Sequence, residues 1–250
     1  MSKFIKNIPS FSPAAILAGD IPAVDFHLHT VFTDGEDNLE SYVRSAVEQG
    51  LSAIAFPEHV TLEEARLNGW FLAFLKEVDR CREVFPDIKI FKGVEARVID
   101  FQGRLNFPEH YAASVDFVMG VVHRYPGVGT NVADYSKEIT PDKARHLELE
   151  ATLAILENPQ VSVIGHVGGV YLKKFGLFPL EDFARVIQKA AQRGVAFEIN
   201  SRYHQAIWKE LLELCAQHGA RVTLGSDAHK VEHLGDINRL LVGQLCIQKK

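Results

Sequence analysis

His27 and His29 stand two residues apart in the apolar run Val24-Asp25-Phe26-His27-Leu28-His29-Thr30. On a β-strand alternate side chains share a face, so both imidazoles point the same way and offer two nitrogen ligands on one rigid edge. Asp34, just past the strand in a turn with Gly35, adds a hard oxygen ligand. This is half of a metal site before anything else has folded. A pair of hydrogen-bonded histidines beside a turn aspartate would give the same short pattern, so the other ligand-type residues decide between the readings.

Those residues recur at the C-terminal ends of short apolar runs: Glu58-His59, Glu95, His123, His166, Glu198 with Asn200, and Asp227-Ala228-His229. Of the 11 histidines, His27, His29, His59, His123, His166 and His229 fall at such ends. His110, His146, His204, His218 and His233 do not, and are read as surface or structural. Imidazoles and carboxylates converging without thiolates favour zinc, manganese or iron. There are more ligands here than one tetrahedral ion requires, which points to two or three divalent ions sharing a bridging carboxylate. Two ions roughly 3.5–4 Å apart can clamp the attacking and leaving oxygens of a phosphoryl transfer and generate hydroxide at neutral pH. The expected chemistry is that of a polynuclear hydrolase.

The convergence requires a scaffold that gathers strand ends. Apolar runs at Val24–His29, Ser52–Phe56, Ile88–Glu95, Ser114–His123, Val161–His166, Val195–Asn200 and Arg221–His229 read as seven strands. Between them lie helical patterns: a helix from Asn38 or Asp37 as N-cap to Gly50, a second over Glu63–Glu83 broken near Asn68-Gly69, and a third from Thr140-Pro141 to Asn158. Further helices cover 180–193, the stretch from Ile207 to Gly219, and the C-terminal segment, whereas Val167-Gly168-Gly169 and the Tyr125–Thr130 stretch read as loops. Strands alternating with helices mean βαβ units and a parallel sheet, and seven in succession favour an α/β barrel whose strand ends meet at one mouth. Residues 1–21, with Pro9 and Pro13, form an N-terminal arm, and residues 22–250 a single barrel domain.

Bulk composition is consistent with this. A chain of 250 residues with 47% hydrophobic residues can bury one barrel-sized core. A net charge of −5, with no basic run beyond Lys249-Lys250, argues against nucleic acid as a partner. Cys81, Cys215 and Cys246 are odd in number and far apart, as expected of free thiols in a reducing compartment. No apolar segment approaches the roughly 20 residues of a membrane span, so a cytoplasmic location is expected.

In combination, Asp25-Phe26-His27-Leu28-His29-Thr30 with Asp34-Gly35, Glu58-His59, Gly93-Val94-Glu95, His123, His166 and Ser226-Asp227-Ala228-His229 resemble the PHP (polymerase and histidinol phosphatase) family, in the family's order from residue 24 to 235. The resemblance implies a distorted (β/α)7 barrel, TIM-barrel-like, with the metal site at the C-terminal ends of the strands. It implies that His27, His29, Glu95 and Asp227 ligate one ion, that Glu95 bridges to a second held by His123 and His166, and that His59 and His229 hold a third with Asp34, where some members use histidine. It also implies hydrolysis of a small-molecule phosphate monoester by a metal-bound hydroxide, with Glu95 and Asp227 as catalytic residues and Asp227 or a histidine as proton donor. Two departures bear on the substrate: Ala96-Arg97-Val98 replaces the Val-Asp-Tyr-like segment of the histidinol-phosphatase branch, and Arg124 replaces an aromatic residue after the fourth-strand histidine.

Around the expected mouth, Arg97 lies two residues beyond Glu95 and would hold phosphate oxygens if the strand continues. Arg124 and Arg202 follow strand ends and are candidates for the same role, as is Asn200 for lining the substrate pocket; a solvated rim is the competing reading for each arginine. Glu198 reads as an acceptor fixing a ligand histidine, Glu58 as turned outward, Lys230 as solvated, and Tyr125 and Tyr203 as flanking the mouth. Arg66 could reach over the site. Rival functions are a 3′–5′ exonuclease or other phosphodiesterase, an amidohydrolase-type C–N hydrolase, and a non-catalytic module that binds a phosphorylated ligand through metal.

Overall fold

The computed structural model describes residues 8–61, 69–128 and 139–247, with side chains through Leu245. The first seven residues, the expected helix start at Glu63, Asn68 and Arg66 lie outside this range. Seven parallel strands follow in chain order: β1 (Val24–Asp25), β2 (Ala53–His59), β3 (Lys89–Arg97), β4 (Phe117–Val121), β5 (Val163–Ile164), β6 (Ala196–Asn200) and β7 (Val222–Gly225). Strands β4, β6 and β7 are buried along their whole length, without the alternation of a one-sided sheet, because helices cover the outer face and side chains fill the inner one.

The seam between β1 and β7 is joined beyond the ladder ends. Phe26 N–H donates to the Leu224 carbonyl at 2.8 Å, Leu28 pairs with Ala228, and His29 N–H donates to the Ala228 carbonyl at 2.9 Å. The result is a nearly closed barrel of the TIM type. The expected strand Val24–His29 is therefore shorter as a ladder: after Asp25 the chain leaves β2 and crosses to the β7 side. Asp25 secures that crossing, its buried carboxylate accepting the N–H groups of Ser226 and Gly235 at 2.9 Å each.

Helices follow their local signals. In α1 (Pro13–Leu17), Ser12 accepts the Ala15 N–H, and Phe11 pairs antiparallel with Val222, so residues 8–21 seal one end of the β1–β7 seam. In α2 (Leu39–Glu48), Asn38 Oδ1 accepts the Ser41 N–H at 2.9 Å, while Leu39, Tyr42, Val43 and Ala46 face the core. The described part of the second expected helix is α3 (Trp70–Val84), with Phe71 and Phe74 buried as core. Thr140 caps α4 (Pro141–Ile155) with proline at its first position. Then follow α5 (Gly169–Phe175), α6 (Leu180–Arg193), α7 (Trp208–His218) and α8 (Asp236–Ile247). Helix α5 begins at Gly169, the last residue of the expected Val167-Gly168-Gly169 loop, and runs through a stretch to which the sequence assigns no element, being too short for apolar periodicity to reveal it. Residues Glu109–Ser114 form a 3-10 turn, and β4 starts at Phe117, three residues after the expected start at Ser114. Among the described residues no helix is long and apolar enough to cross a membrane.

Candidate metal centre

Glu95, near the end of β3 and 2% exposed, is the centre of the mouth. Its Oε1 lies 2.7 Å from His166 Nε2, 3.3 Å from His123 Nε2 and 3.4 Å from His27 Nε2; its Oε2 lies 2.7 Å from His59 Nδ1 and 3.7 Å from His29 Nε2. One carboxylate thus faces imidazoles from the exits of β1, β2, β4 and β5. Asp227, beyond β7 at φ 57, places Oδ1 3.3 Å from His29 Nε2 and 3.6 Å from His27 Nε2. Asp34 Oδ2 lies 3.3 Å from His59 Nε2 and 3.4 Å from His229 Nε2. All nine expected ligand positions fall in this one basin.

Their grouping is less partitioned than expected. Ligand atoms close enough to share an ion come from His27, His29 and Asp227; from His27, Glu95 and His166; from His59, Glu95 and His123; and from His29, Asp34, His59 and His229. His123 and His166 both approach Glu95 Oε1, each beside a further imidazole, His59 and His27 respectively, and His59 reaches both Glu95 and Asp34, because Glu95 sits centrally with rings on every side.

The donor set fits divalent cations. His27 Nε2 and His29 Nε2 face each other at 3.1 Å, and Glu95 Oε2 is buried without a hydrogen bond although His59 Nδ1 is near. Lone pairs converging out of water are stabilised by a cation. Burial opposes charge throughout the basin. Even so, the Glu198 and Glu95 carboxylates hold the His27 pKa well above its ordinary value, and the surrounding histidines hold Glu95 and Asp227 well below theirs. Burial, with His59 beside it, pushes His29 down to about 4, outweighing the Asp227 and Glu95 carboxylates.

A family model for the PHP domain matches residues 25–202. The chain belongs to the PHP domain family. Its relatives include proteins named probable phosphatase from Acetivibrio thermocellus, 28% identical over 87% of this chain and 83% of the relative, and from Caldicellulosiruptor bescii, 27% identical over 88% and 84%. The fold is similar to that of histidinol phosphate phosphatase from Lactococcus lactis, solved with zinc, L-histidinol and phosphate (TM-score 0.67, 21% identity, covering 89% of this chain and 93% of that one). It is also similar to a putative histidinol phosphatase from Listeria monocytogenes (TM-score 0.69, 19% identity, covering 85% and 97%).

In this PHP domain the groups behind the basin are as specific as those lining it. Glu198 Oε1 lies 2.7 Å from His27 Nδ1, and Oε2 accepts the His166 N–H at 2.6 Å. Asn200, expected to line the pocket, is fully buried instead. Its amide donates to Glu198 at 3.1 Å and its oxygen accepts the N–H groups of Arg202 and Tyr203, so the turn after β6 consumes it. Glu58 is not turned outward. It is buried and accepts the Thr30 N–H at 3.0 Å, and the hydroxyls of Thr30 and Thr33, tying down the loop that carries Asp34.

The rim divides. Arg202 is half exposed with Nη1 3.4 Å from Asp227 Oδ2, and it borders a cavity of 1050 Å³ that adjoins Asp34, Asp227 and His229. Arg97 and Arg124 line a different cavity, of 390 Å³, beyond β3 and β4. Lys230 pairs with Glu36 at 3.0 Å. Tyr203 packs on the His166 ring at 5.0 Å between centroids, whereas Tyr125 is 2% exposed and lines the cavity of Arg97 and Arg124. Sequence reasoning passed over Glu148, a buried glutamate of α4 beneath the β5 exit; its helical phase, in register with Ala144, Thr152 and Ile155, was the available signal.

Proposed function

We propose that this chain is a metal-dependent phosphatase that hydrolyses a small phosphate monoester, as its named relatives and the histidinol phosphatase fold neighbours suggest. The observation that carries the reading is Glu95, one carboxylate within 3.7 Å of imidazoles from four strand exits. His27, His29 and Asp227 would hold one zinc, manganese or iron ion, His123 and His166 a second, and His59, His229 and Asp34 a third, with Glu95 shared. Such ions supply Lewis-acid polarisation of the phosphoryl group and a water acidic enough to attack near neutral pH.

The chain's own groups do the rest. Arg202 is placed to take a non-bridging phosphoryl oxygen beside Asp227. Asp227, held ionised by His29 and His27, can accept the proton of the attacking water and return it to the leaving alkoxide. The cavity of 1050 Å³ beside these residues accommodates the leaving group.

The test is to purify the protein with manganese or zinc and assay an aryl phosphate. Stripping with chelator should abolish turnover and lower the thermal midpoint, and His27→Ala and Glu95→Ala should lose both bound metal and turnover. Unchanged turnover in both variants would overturn the reading.

A further inference from the structure

Helix α4 carries a carboxylate where its phase calls for an apolar side chain. Ala144, Glu148, Thr152 and Ile155 recur at helical spacing and all are buried, Glu148 at 1% exposure. A carboxyl in that position is costly unless it meets donors. The Gly168 N–H donates to Glu148 Oε1 at 3.1 Å. Gly168 is the N-cap of α5, in the left-handed region at φ 79, and has no side chain with which to cap the helix. Glu148 therefore supplies, from another helix, the acceptor for the N-cap N–H that a glutamate at the third helical position provides in a capping box. A side chain at Gly168 is excluded, since its Cβ would stand 2.8 Å from Phe178 Cβ.

Two residues upstream, His166 adopts φ 23, a conformation that non-glycine residues rarely hold unless their surroundings impose it. The turn from His166 to Gly169 is pinned at each step. Glu198 accepts the His166 N–H at 2.6 Å, His204 Nε2 is 3.0 Å from the Val167 carbonyl, Glu148 accepts the Gly168 N–H, and the Gly169 N–H returns to the His166 carbonyl at 3.0 Å. The outcome is a ring whose Nε2 stands 2.7 Å from Glu95 Oε1.

We propose that Glu148 is a positioning residue: by accepting the Gly168 N–H it holds the turn that aims His166 at Glu95, and so sets the affinity for the second ion, the one that His166 would hold with His123 and Glu95. The role rests on the metal-centre reading above. Glu148 touches neither ion nor substrate, and its effect passes through the backbone.

The experiment titrates Zn²⁺ into metal-stripped wild type, Glu148→Gln, Glu148→Asp and Glu148→Ala against a chromophoric chelator. Bound zinc is counted by mass spectrometry, and folding is checked by circular dichroism. Glutamine keeps an oxygen in reach of Gly168 and should bind as wild type does; alanine and the shorter aspartate should lose one equivalent or bind it about tenfold or more weakly. Wild-type binding in both alanine and aspartate, or a glutamine variant as weak as alanine, would overturn the role. Should alanine fail to fold, the aspartate and glutamine variants decide on the same criteria. If wild type itself takes up no zinc, the metal reading falls and this one with it; uptake by wild type and by every variant alike sinks the positioning role alone.

Discussion

His27 Nδ1 stands 2.7 Å from Glu198 Oε1, with both side chains out of solvent. An ionised carboxylate only accepts, so Nδ1 carries a proton, and Nε2, directed at Glu95 and Asp227, is the nitrogen left to bind a cation in exchange for its own proton. Carboxylate partners of this kind fix the tautomer and orientation of a metal-binding histidine. Glu198 does so while also accepting the His166 N–H, so one residue of β6 serves the exits of β1 and β5. Gly225 of β7 leaves room for it, since a Cβ there would collide with Glu198 Oε1.

Glu198→Ala should therefore weaken metal binding by about 10- to 100-fold, with Glu198→Gln intermediate because an amide oxygen can still accept from His27. Isothermal titration with zinc checks this. Binding by the alanine variant as tight as wild type would remove Glu198 from the metal centre's support.

Arg202 meets the basin directly, through Asp227 Oδ2, and its guanidinium also lies 5.7 Å from the Tyr203 ring centroid. Arg202→Ala should lower kcat/KM for an aryl phosphate roughly 10- to 100-fold, the worth of one charge-assisted hydrogen bond. Bound metal should stay at the wild-type level. Arg202→Lys should recover little, since an ammonium lacks the planar fork. Arg97→Ala and Arg124→Ala, lining the other cavity, should cost less than Arg202→Ala with this small substrate. Steady-state kinetics with metal content measured in parallel separates the cases.

The sequence made the basin legible because each contributor is announced locally. His27 and His29 share a face by strand alternation, and Glu95, His123, His166 and Asp227 each terminate an apolar run. What it left obscure depends on where a side chain turns after the strand ends. Asn200 has the chemistry of a pocket residue, but the turn at residues 200–203 uses its amide. Glu58 follows an apolar run like the ligands do, yet Thr30 and Thr33 hold it to the neighbouring loop. The sharing of Glu95 among several imidazole groups is likewise a matter of distances across the mouth, which no spacing along one strand encodes.

His204 is buried like His27, His29 and His166 but stands outside the ligand groups. The Asn200 N–H donates to its Nδ1 at 3.1 Å and its Nε2 faces the Val167 carbonyl at 3.0 Å, which fixes a neutral ring between Phe183 and Phe197. Burial pushes its pKa down to about 4. Between that value and the unfolded value near 6.5 the unfolded chain binds a proton that the folded chain refuses. This contribution to stability is full above about pH 6.5 and is lost as pH falls towards 4, by about 3 kcal/mol in all. Urea unfolding of metal-stripped protein at pH 7.5 and 5 should show a larger loss for wild type than for His204→Asn; equal losses would assign the acid sensitivity elsewhere.

Asp34 is the most exposed of the candidate ligands, at 55%, and its placement between His59 and His229 depends on the loop that carries it. That loop folds on itself through the Thr33 and Gly35 N–H groups, each 3.0 Å from the Thr30 carbonyl, and Glu58 anchors it through Thr30 and Thr33. Burial pushes the Glu58 carboxyl up to about 7 despite those donors, so the anchor is retained at an electrostatic cost. If its function is to present Asp34, Glu58→Ala should reproduce Asp34→Ala. Both should lose one zinc equivalent or weaken it by about tenfold, while the ions that share Glu95 remain. Glu58→Gln, whose oxygen still accepts from Thr30 while its NH2 can donate to the Thr33 hydroxyl oxygen, should retain all bound zinc. Zinc counted per protein after gel filtration distinguishes the outcomes. Loss of every ion in Glu58→Ala would mean that the anchor supports the whole mouth, and loss of none that Asp34 holds its place without it.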